Sequence, residues 1–203
     1  MLIPLETLVE KYNIKFDGIL HVGAHECEEI TAYEKYLSRN KILWIEAMPE
    51  KVLQNHQKYS NLLIHNAVVS DTIENVKFYI SNNGQSSSML EMGLHKQFYP
   101  SIKYTHFFET QTKLLSDIIS TYNIKYNFLN LDIQGAELKA LKGMETYLSS
   151  VDYVYTEVNS DYVYKNCALI TEIDEYLLKF GLHRVETVWA GSARWGDAFY
   201  IRK

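Results

Sequence analysis

Apolar residues in this chain come in short blocks, and each block ends near a polar or acidic residue. GILHVG (18–23), KILWIE (41–46), NLLIHN (61–66), YNFLNLD (126–132) and DYVYTEV (152–158) are rich in Leu, Ile, Val and aromatic residues. Blocks this short, with that composition, read as buried strands. The stretches between most of them read as helices, over 27–38, 49–58, 114–122, 135–149 and 168–180. In the last, Leu169, Ile170, Ile173, Leu177 and Leu178 recur at helical spacing, and Gly181 stands where a C-terminal cap belongs. Within 1–15 a short helix, over 4–13, precedes the first strand. Strands alternating with helices predict an α/β fold, a parallel sheet with helices on both faces.

Two stretches break the alternation. ENVKFYI (74–80) reads as an extra strand, and the small, polar segment 81–93 after it reads as a loop. GLHRVETV (181–188) and GDAFYIR (196–202) read as strands joined by WAGSARW. That link is too short for a parallel crossover, so the two run antiparallel. With no repeat, low-complexity tract or Pro-rich linker, 1–203 reads as one domain.

Composition narrows the class. The chain has 203 residues, 47% hydrophobic and 22% charged, which suits a globular domain with a sizeable core. A net charge of -5 argues against a nucleic-acid partner. No apolar run is long enough to predict a membrane span, and no signal peptide is evident. Cys27 and Cys167 are the only cysteines, too few for a disulfide framework, so a reducing compartment, the cytoplasm, is expected. No spacing predicts a zinc site. The 16 tyrosines suit half-buried positions and can also stack on sugars.

Ligands of open parallel sheets bind beyond the carboxyl ends of the strands. The first strand delivers Gly23, Ala24, His25 and Glu26 there, and the second Glu46 and Ala47. The third delivers Asn66 and Ala67, the fourth Asp132, Gln134 and Glu137, and the fifth Glu157 and Asn159. The edge is acidic. Glu26, Glu28 and Glu29 after the glycine turn would repel a phosphate, and no GxxxxGK[ST] is present. An ammonium, a sulfonium and a ribose suit such an edge, and S-adenosylmethionine (SAM) has all three. Glu46, 23 residues after Gly23, is placed to accept the ribose hydroxyls; otherwise it is a solvated acid at a strand end.

The segments HVGAHECEE, WIEAMPE, NAVVSD, NGQSSSML, NLDIQGAELKALKGM, YTEVN and WGDAFYIRK run in order from residue 21 to the C-terminus. In them the chain resembles the FkbM family of class I SAM-dependent methyltransferases, most specifically in DIQGAELKALKG (132–143). The resemblance implies a Rossmann-like fold with a seven-stranded, mostly parallel sheet and an antiparallel last strand. It implies methyl transfer to oxygen on a sugar, glycan or other small hydroxylated acceptor. Gly23, Ala24, His25 and Glu26 would line the methionine part of SAM, Glu46 the ribose, and Ala47, Asn66 and Ala67 the adenine. Ser87, Asp132 and Gln134 join the expected cofactor contacts. His21 and Cys27 depart from the family, which usually has aspartate and glycine there, and Glu26 or Glu28 is expected to supply the missing carboxylate.

For the chemistry, Asp132 and Glu157 are the candidate catalytic bases, and no metal is expected. Asp132 also suits a helix cap, Glu157 a strand-end ion pair, and Glu137 the start of its helix. The loop 81–93 reads as a connector or as a lid, with Gln85, Ser86 and Ser88 toward the acceptor. His95, Asn159 and Trp195 are the remaining acceptor-site candidates, with Asp197 beside them. Two other functions stay open, a binding module that kept the fold without turnover and a nicotinamide-dependent oxidoreductase. Association into a homo-oligomer is compatible with the sequence.

Overall fold

The computed structural model describes residues 1–203, and in it each of the five apolar blocks forms a strand. These are β1 (Ile19–Val22), β2 (Ile42–Glu46), β3 (Leu63–Asn66), β6 (Phe128–Leu131) and β7 (Tyr153–Asn159). The C-terminal pair forms β8 (Leu182–Trp189) and β9 (Trp195–Arg202), and β4 (Asn75–Ser81) and β5 (Tyr104–Gln111) lie between β3 and β6 in the chain. The main sheet has seven strands in the order β3-β2-β1-β6-β7-β9-β8. All neighbours are parallel except around β9, which runs antiparallel to both β7 and β8. The expected sheet, with its antiparallel last strand, is therefore present.

Alternation along each strand divides the core in two. Leu20, Val22, Leu43, Ile45, Leu129 and Leu131 face a cluster of 25 buried residues. Ile19, Ile42, Trp44 and Phe128 face a second cluster of 16. Burying one large apolar side chain of this kind contributes about 2 kcal/mol. Helix α1 (Leu5–Tyr12) closes the second face with Leu5 and Leu8. Helices α5 (Leu115–Ser120), α6 (Glu137–Lys142), α7 (Glu145–Leu148) and α8 (Ile170–Leu178) supply apolar residues to the first. No helix is long and apolar enough to cross a membrane.

The structure corrects two expected elements and places a third. The helix over 27–38 shrinks to α2 (Ile30–Tyr33), because His25 and Cys27 take left-handed backbone angles (φ 41° and 55°) and start the segment as turns. The helix over 135–149 breaks into α6 and α7 at Gly143, whose missing side chain lets the chain pass against the carbonyl of Ser70. The extra strand is present as β4 and lies outside the main sheet. It pairs antiparallel with β5, which pattern alone did not predict, in a separate two-stranded ribbon. The remaining helices are α3 (Pro49–Lys58), close to expectation, and the single turn α4 (His95–Phe98).

Candidate active site

Strand order reverses between β1 and β6, and a cavity of about 540 Å3 opens there beyond the strand ends. That volume is within the roughly 300–1,000 Å3 typical of small-molecule sites. Two turns form its floor. After β1, Gly23 has φ +96°, and a side chain on it would overlap the carbonyl oxygen of Asp132. Glycine is thus required where the turns after β1 and β6 touch. The N–H groups of Gly23 and Ala24 donate to the carbonyl of Ile45 at 2.9 and 3.0 Å, which ties the first turn to β2.

At the tip of β2, Glu46 lines the cavity but is only 4% exposed. Its carboxylate accepts the His25 N–H at 2.6 Å and the Met48 N–H at 2.8 Å. Burial pushes its pKa up to about 7, against the pull of those N–H groups. Two bonds leave acceptor capacity on the carboxylate. Ala47, Met48, Val68, Phe78 and Met89 pack together into an apolar wall of the cavity.

The turn after β6 carries a different device. The two N–H bonds of the Gln134 amide are divided between carboxylates, to Asp132 Oδ1 at 2.7 Å and Glu157 Oε2 at 2.8 Å. The Tyr164 hydroxyl donates to Gln134 Oε1 at 2.6 Å. Asp132 is exposed toward the cavity, yet protein encloses its carboxyl on the other sides and raises its pKa to about 6. Glu157 is 5% exposed, and burial, reinforced by Asp132 and Glu137, holds its pKa well above the carboxylate range. Glu137 is buried and accepts the N–H groups of Ile133 (3.0 Å) and Gly135 (3.1 Å), so the acid that braces this turn is Glu137 and not Asp132.

Another part of the cavity lining is aromatic. His95, Tyr99, Tyr164 and Trp195 form it, with the Trp195 indole N–H donating to the Tyr99 hydroxyl at 3.0 Å. His95 is 5% exposed, and its Nδ1 is buried without a partner. The loop 81–93 contributes Gln85, Ser86 and Ser87 to the cavity wall. It is held by its own hydrogen bonds: the Ser87 hydroxyl accepts the Ser81 N–H at 3.0 Å and donates to the Gly84 carbonyl at 2.6 Å.

Of the residues expected at the site, Gly23, His25, Glu46, Ala47, Ala67, Ser87, Asp132, Gln134, Gln85, Ser86, His95, Glu157 and Trp195 line this one cavity. Five do not. Ala24 is packed into the second core cluster. Glu26 turns to solvent and pairs with Lys51 at 2.5 Å. The Asn66 amide donates to the carbonyls of Glu46 and Ala47 at 2.8 and 3.0 Å, bracing β2 against β3. Ser88 is buried and donates to the Gln134 carbonyl at 2.8 Å. Asn159 is fully buried, with neither amide atom partnered. Asp197 is also absent from the lining, bonded instead to the Leu2 N–H and the Tyr155 hydroxyl.

His21 departs from the family pattern in a structurally complete way. Its ring stacks on Trp44 at 4.6 Å and bonds the Tyr33 hydroxyl at 2.9 Å, and burial lowers its pKa. The carboxylates that reach the cavity on this side are Glu28 and Glu29. Burial works against the charge on Glu28, yet hydrogen bonds from His25 and from backbone N–H groups bring its pKa down to about 2. Glu29, Phe78, Met89, Tyr99 and Tyr164 are lining residues that strand-end reasoning missed. All but Glu29 come from segments outside the alternating pattern.

A model of the methyltransferase FkbM domain matches residues 21–183. No curated protein matches the chain in sequence. Among solved structures, a ribosomal protein L11 methylase from Lactobacillus delbrueckii subsp. bulgaricus is 12% identical, with a TM-score of 0.56 over 98% of this chain and 76% of that one. An S-adenosylmethionine-dependent methyltransferase from Clostridium acetobutylicum is 8% identical, with a TM-score of 0.54 over 98% and 89%. The magnesium protoporphyrin IX methyltransferase from Synechocystis PCC 6803, solved with bound SAM, is 11% identical, with a TM-score of 0.53 over 98% and 76%. These likenesses show the same fold.

Proposed function

The chain belongs to the FkbM methyltransferase family, and from that premise we propose that it transfers a methyl group from SAM to a hydroxyl of a sugar, glycan or other small hydroxylated acceptor. The observation that carries the reading is Glu46, a nearly buried carboxylate at the tip of β2 that opens onto the cavity with acceptor capacity to spare. The residues present fit the cofactor. Glu46 would hold the ribose hydroxyls, Glu28 and Glu29 the ammonium, and the apolar wall of Ala47, Met48, Val68 and Phe78 the adenine.

Bound SAM supplies an electrophilic methyl group on a sulfonium. The protein's own task is to place the acceptor oxygen in line and to take its proton. Asp132 is the group suited to this. It faces the cavity, and with a pKa near 6 it is ionised at neutral pH while remaining a better base than a solvated aspartate. Glu157, whose burial beside Asp132 and Glu137 disfavours its charge, would hydrogen-bond rather than serve as the base. The ring faces of His95, Tyr99, Tyr164 and Trp195, with hydroxyls from the loop wall, suit a sugar ring, which offers C–H faces and hydroxyl edges.

Replacing Glu46 with Gln tests the seat. The variant should bind S-adenosylhomocysteine about 10- to 100-fold more weakly by calorimetry, because a hydrogen bond to a charged group is worth about 1.5–3 kcal/mol. Unchanged affinity overturns the assignment. A panel of sugars and other alcohols offered with labelled SAM tests the acceptor, and label found on nitrogen or carbon acceptors alone overturns that part.

A further inference from the structure

We infer that Gln134 is a positioning residue, locked by Tyr164 in the one amide orientation that donates to Asp132 and Glu157 together, and that this lock keeps Asp132 ionised and ready to take a proton. The inference rests on the reading of Asp132 as the base.

Three segments meet at this residue. The Tyr164 hydroxyl, from the stretch after β7, donates to Oε1 at 2.6 Å. The Ser88 hydroxyl, from the loop wall, donates to the Gln134 main-chain carbonyl at 2.8 Å. The turn after β6 places Gln134 at φ +56°, an unfavourable angle for a residue with a side chain. Strain held by this many partners commonly marks a functional position.

The amide has only two ways to lie. With Nε2 toward the acids, each N–H meets a carboxylate oxygen, at 2.7 and 2.8 Å, and favours the ionised form. With Oε1 toward them, a lone-pair oxygen faces two acids, and both would have to carry protons to bond it. The two acids therefore select the first orientation, and the Tyr164 hydroxyl, which donates to the Oε1 left on the far side, anchors the amide in it. Tyr164 is itself fixed, buried with its ring 5.4 Å from that of His95.

Other charges act on the pair from every side. Asp197 on β9, Glu29 ahead of α2 and Glu137 on α6 oppose ionisation, while the amino group at Met1 favours it. Gln134 is the one side chain that bonds both acids, so its orientation is the part of this environment that the lock sets.

Carboxyl-carbon NMR titration of the full-length protein, without cofactor, tests the inference. The samples are the wild type, Tyr164→Phe and Gln134→Met. Removing the anchoring hydroxyl should move the Asp132 midpoint upward, and removing the amide should move it up by about one pH unit, the equivalent of one hydrogen bond to a charged group. A midpoint that stays put or falls in Tyr164→Phe, with the thermal midpoint retained, overturns the inference. A purely structural role would lower the thermal midpoint of both variants and leave the Asp132 titration unchanged. If Gln134→Met does not fold, the Tyr164→Phe arm decides alone, since it deletes a single hydroxyl. Calorimetry with S-adenosylhomocysteine on the wild-type sample separates the two readings. Absence of heat would overturn the methyltransferase site while the titration still judged the lock.

Discussion

The two ends of the cavity hold their acids by different means. Glu46 is gripped by two backbone N–H groups, those of His25 and Met48. Asp132 and Glu157 are bridged by the amide of one side chain. Backbone donors are fixed by the fold and do not rotate, so the Glu46 carboxyl is held in one orientation, which suits a group that holds a ligand. A side-chain amide can take two orientations, so its donation to Asp132 and Glu157 depends on what anchors it, here the Tyr164 hydroxyl, and that suits a group tuned for chemistry. The fold supplies the first from the sheet edge itself. The second needs residues from the turn after β6, from β7 and from the segment beyond it.

The strongest way to break this comparison is to disrupt the contact between the two ends. Gly23 is that contact, since any side chain would overlap the Asp132 carbonyl at a backbone angle of φ +96°. Gly23→Ala combines left-handed strain with overpacking, each costing about 1–3 kcal/mol. We expect a loss near ~3 kcal/mol in urea unfolding and displacement of both Glu46 and Asp132. A variant as stable as the wild type would show that the turns touch less tightly than the structure has them.

A smaller effect compares the acids by pH. Burial raises both Glu46 and Glu137 from the ordinary carboxylate value to about 7, and both are held by backbone N–H groups. A raised acid binds its proton more tightly in the folded state, so its contribution is full below the unfolded pKa and is lost as pH climbs through the folded one. His21 and His95, lowered by burial, act in the opposite sense, but only up to about pH 6.5, their ordinary value. Between about pH 6.5 and 8 Glu46 and Glu137 act without that opposition and Glu157, raised further, acts with them, so stability of the cofactor-free protein should fall by about 2 kcal/mol or more. Glu46→Gln should remove about 1 kcal/mol of that fall. A stability that rises across this window would refute the raised values.

How much of this was legible in the sequence follows the same division. Groups at the tips of regular strands were readable: a strand ending in an acid announces where that acid points, so Glu46, Asp132 and Glu157 could be placed from pattern alone. Gln134 was readable too, two residues on. Tyr164 was not. It sits in an irregular stretch and reaches the site because Met92 and Tyr164 form an isolated bridge, a pairing of residues 72 apart that no local pattern signals. Strand β5 was hidden for a related reason, since its partner β4 lies outside the main sheet. The helix expected over 27–38 failed because left-handed angles at His25 and Cys27 override a segment whose composition tolerates a helix.

The finest comparison concerns the loop wall and the first turn, which meet at one point. A side-chain carbon on Gly84 would lie 3.0 Å from His25 Nε2, in a residue with φ +76°. Gly84→Ala therefore carries two costs, the left-handed strain of the loop and the crowding of the imidazole. The first belongs to the loop alone and the second to the contact. In a His25→Ala background the crowding disappears and the strain remains. The double-mutant cycle should show a coupling of about 0.5 kcal/mol, with Gly84→Ala less harmful when His25 is already absent. The imidazole also bonds Glu28 at 2.7 Å, so Gly84→Ala should loosen that pair, and weaker binding of S-adenosylhomocysteine would follow from a less settled Glu28. Strict additivity in unfolding would mean that the loop and the first turn stand side by side without supporting each other, and would leave the hydrogen bonds of the loop as its whole anchorage.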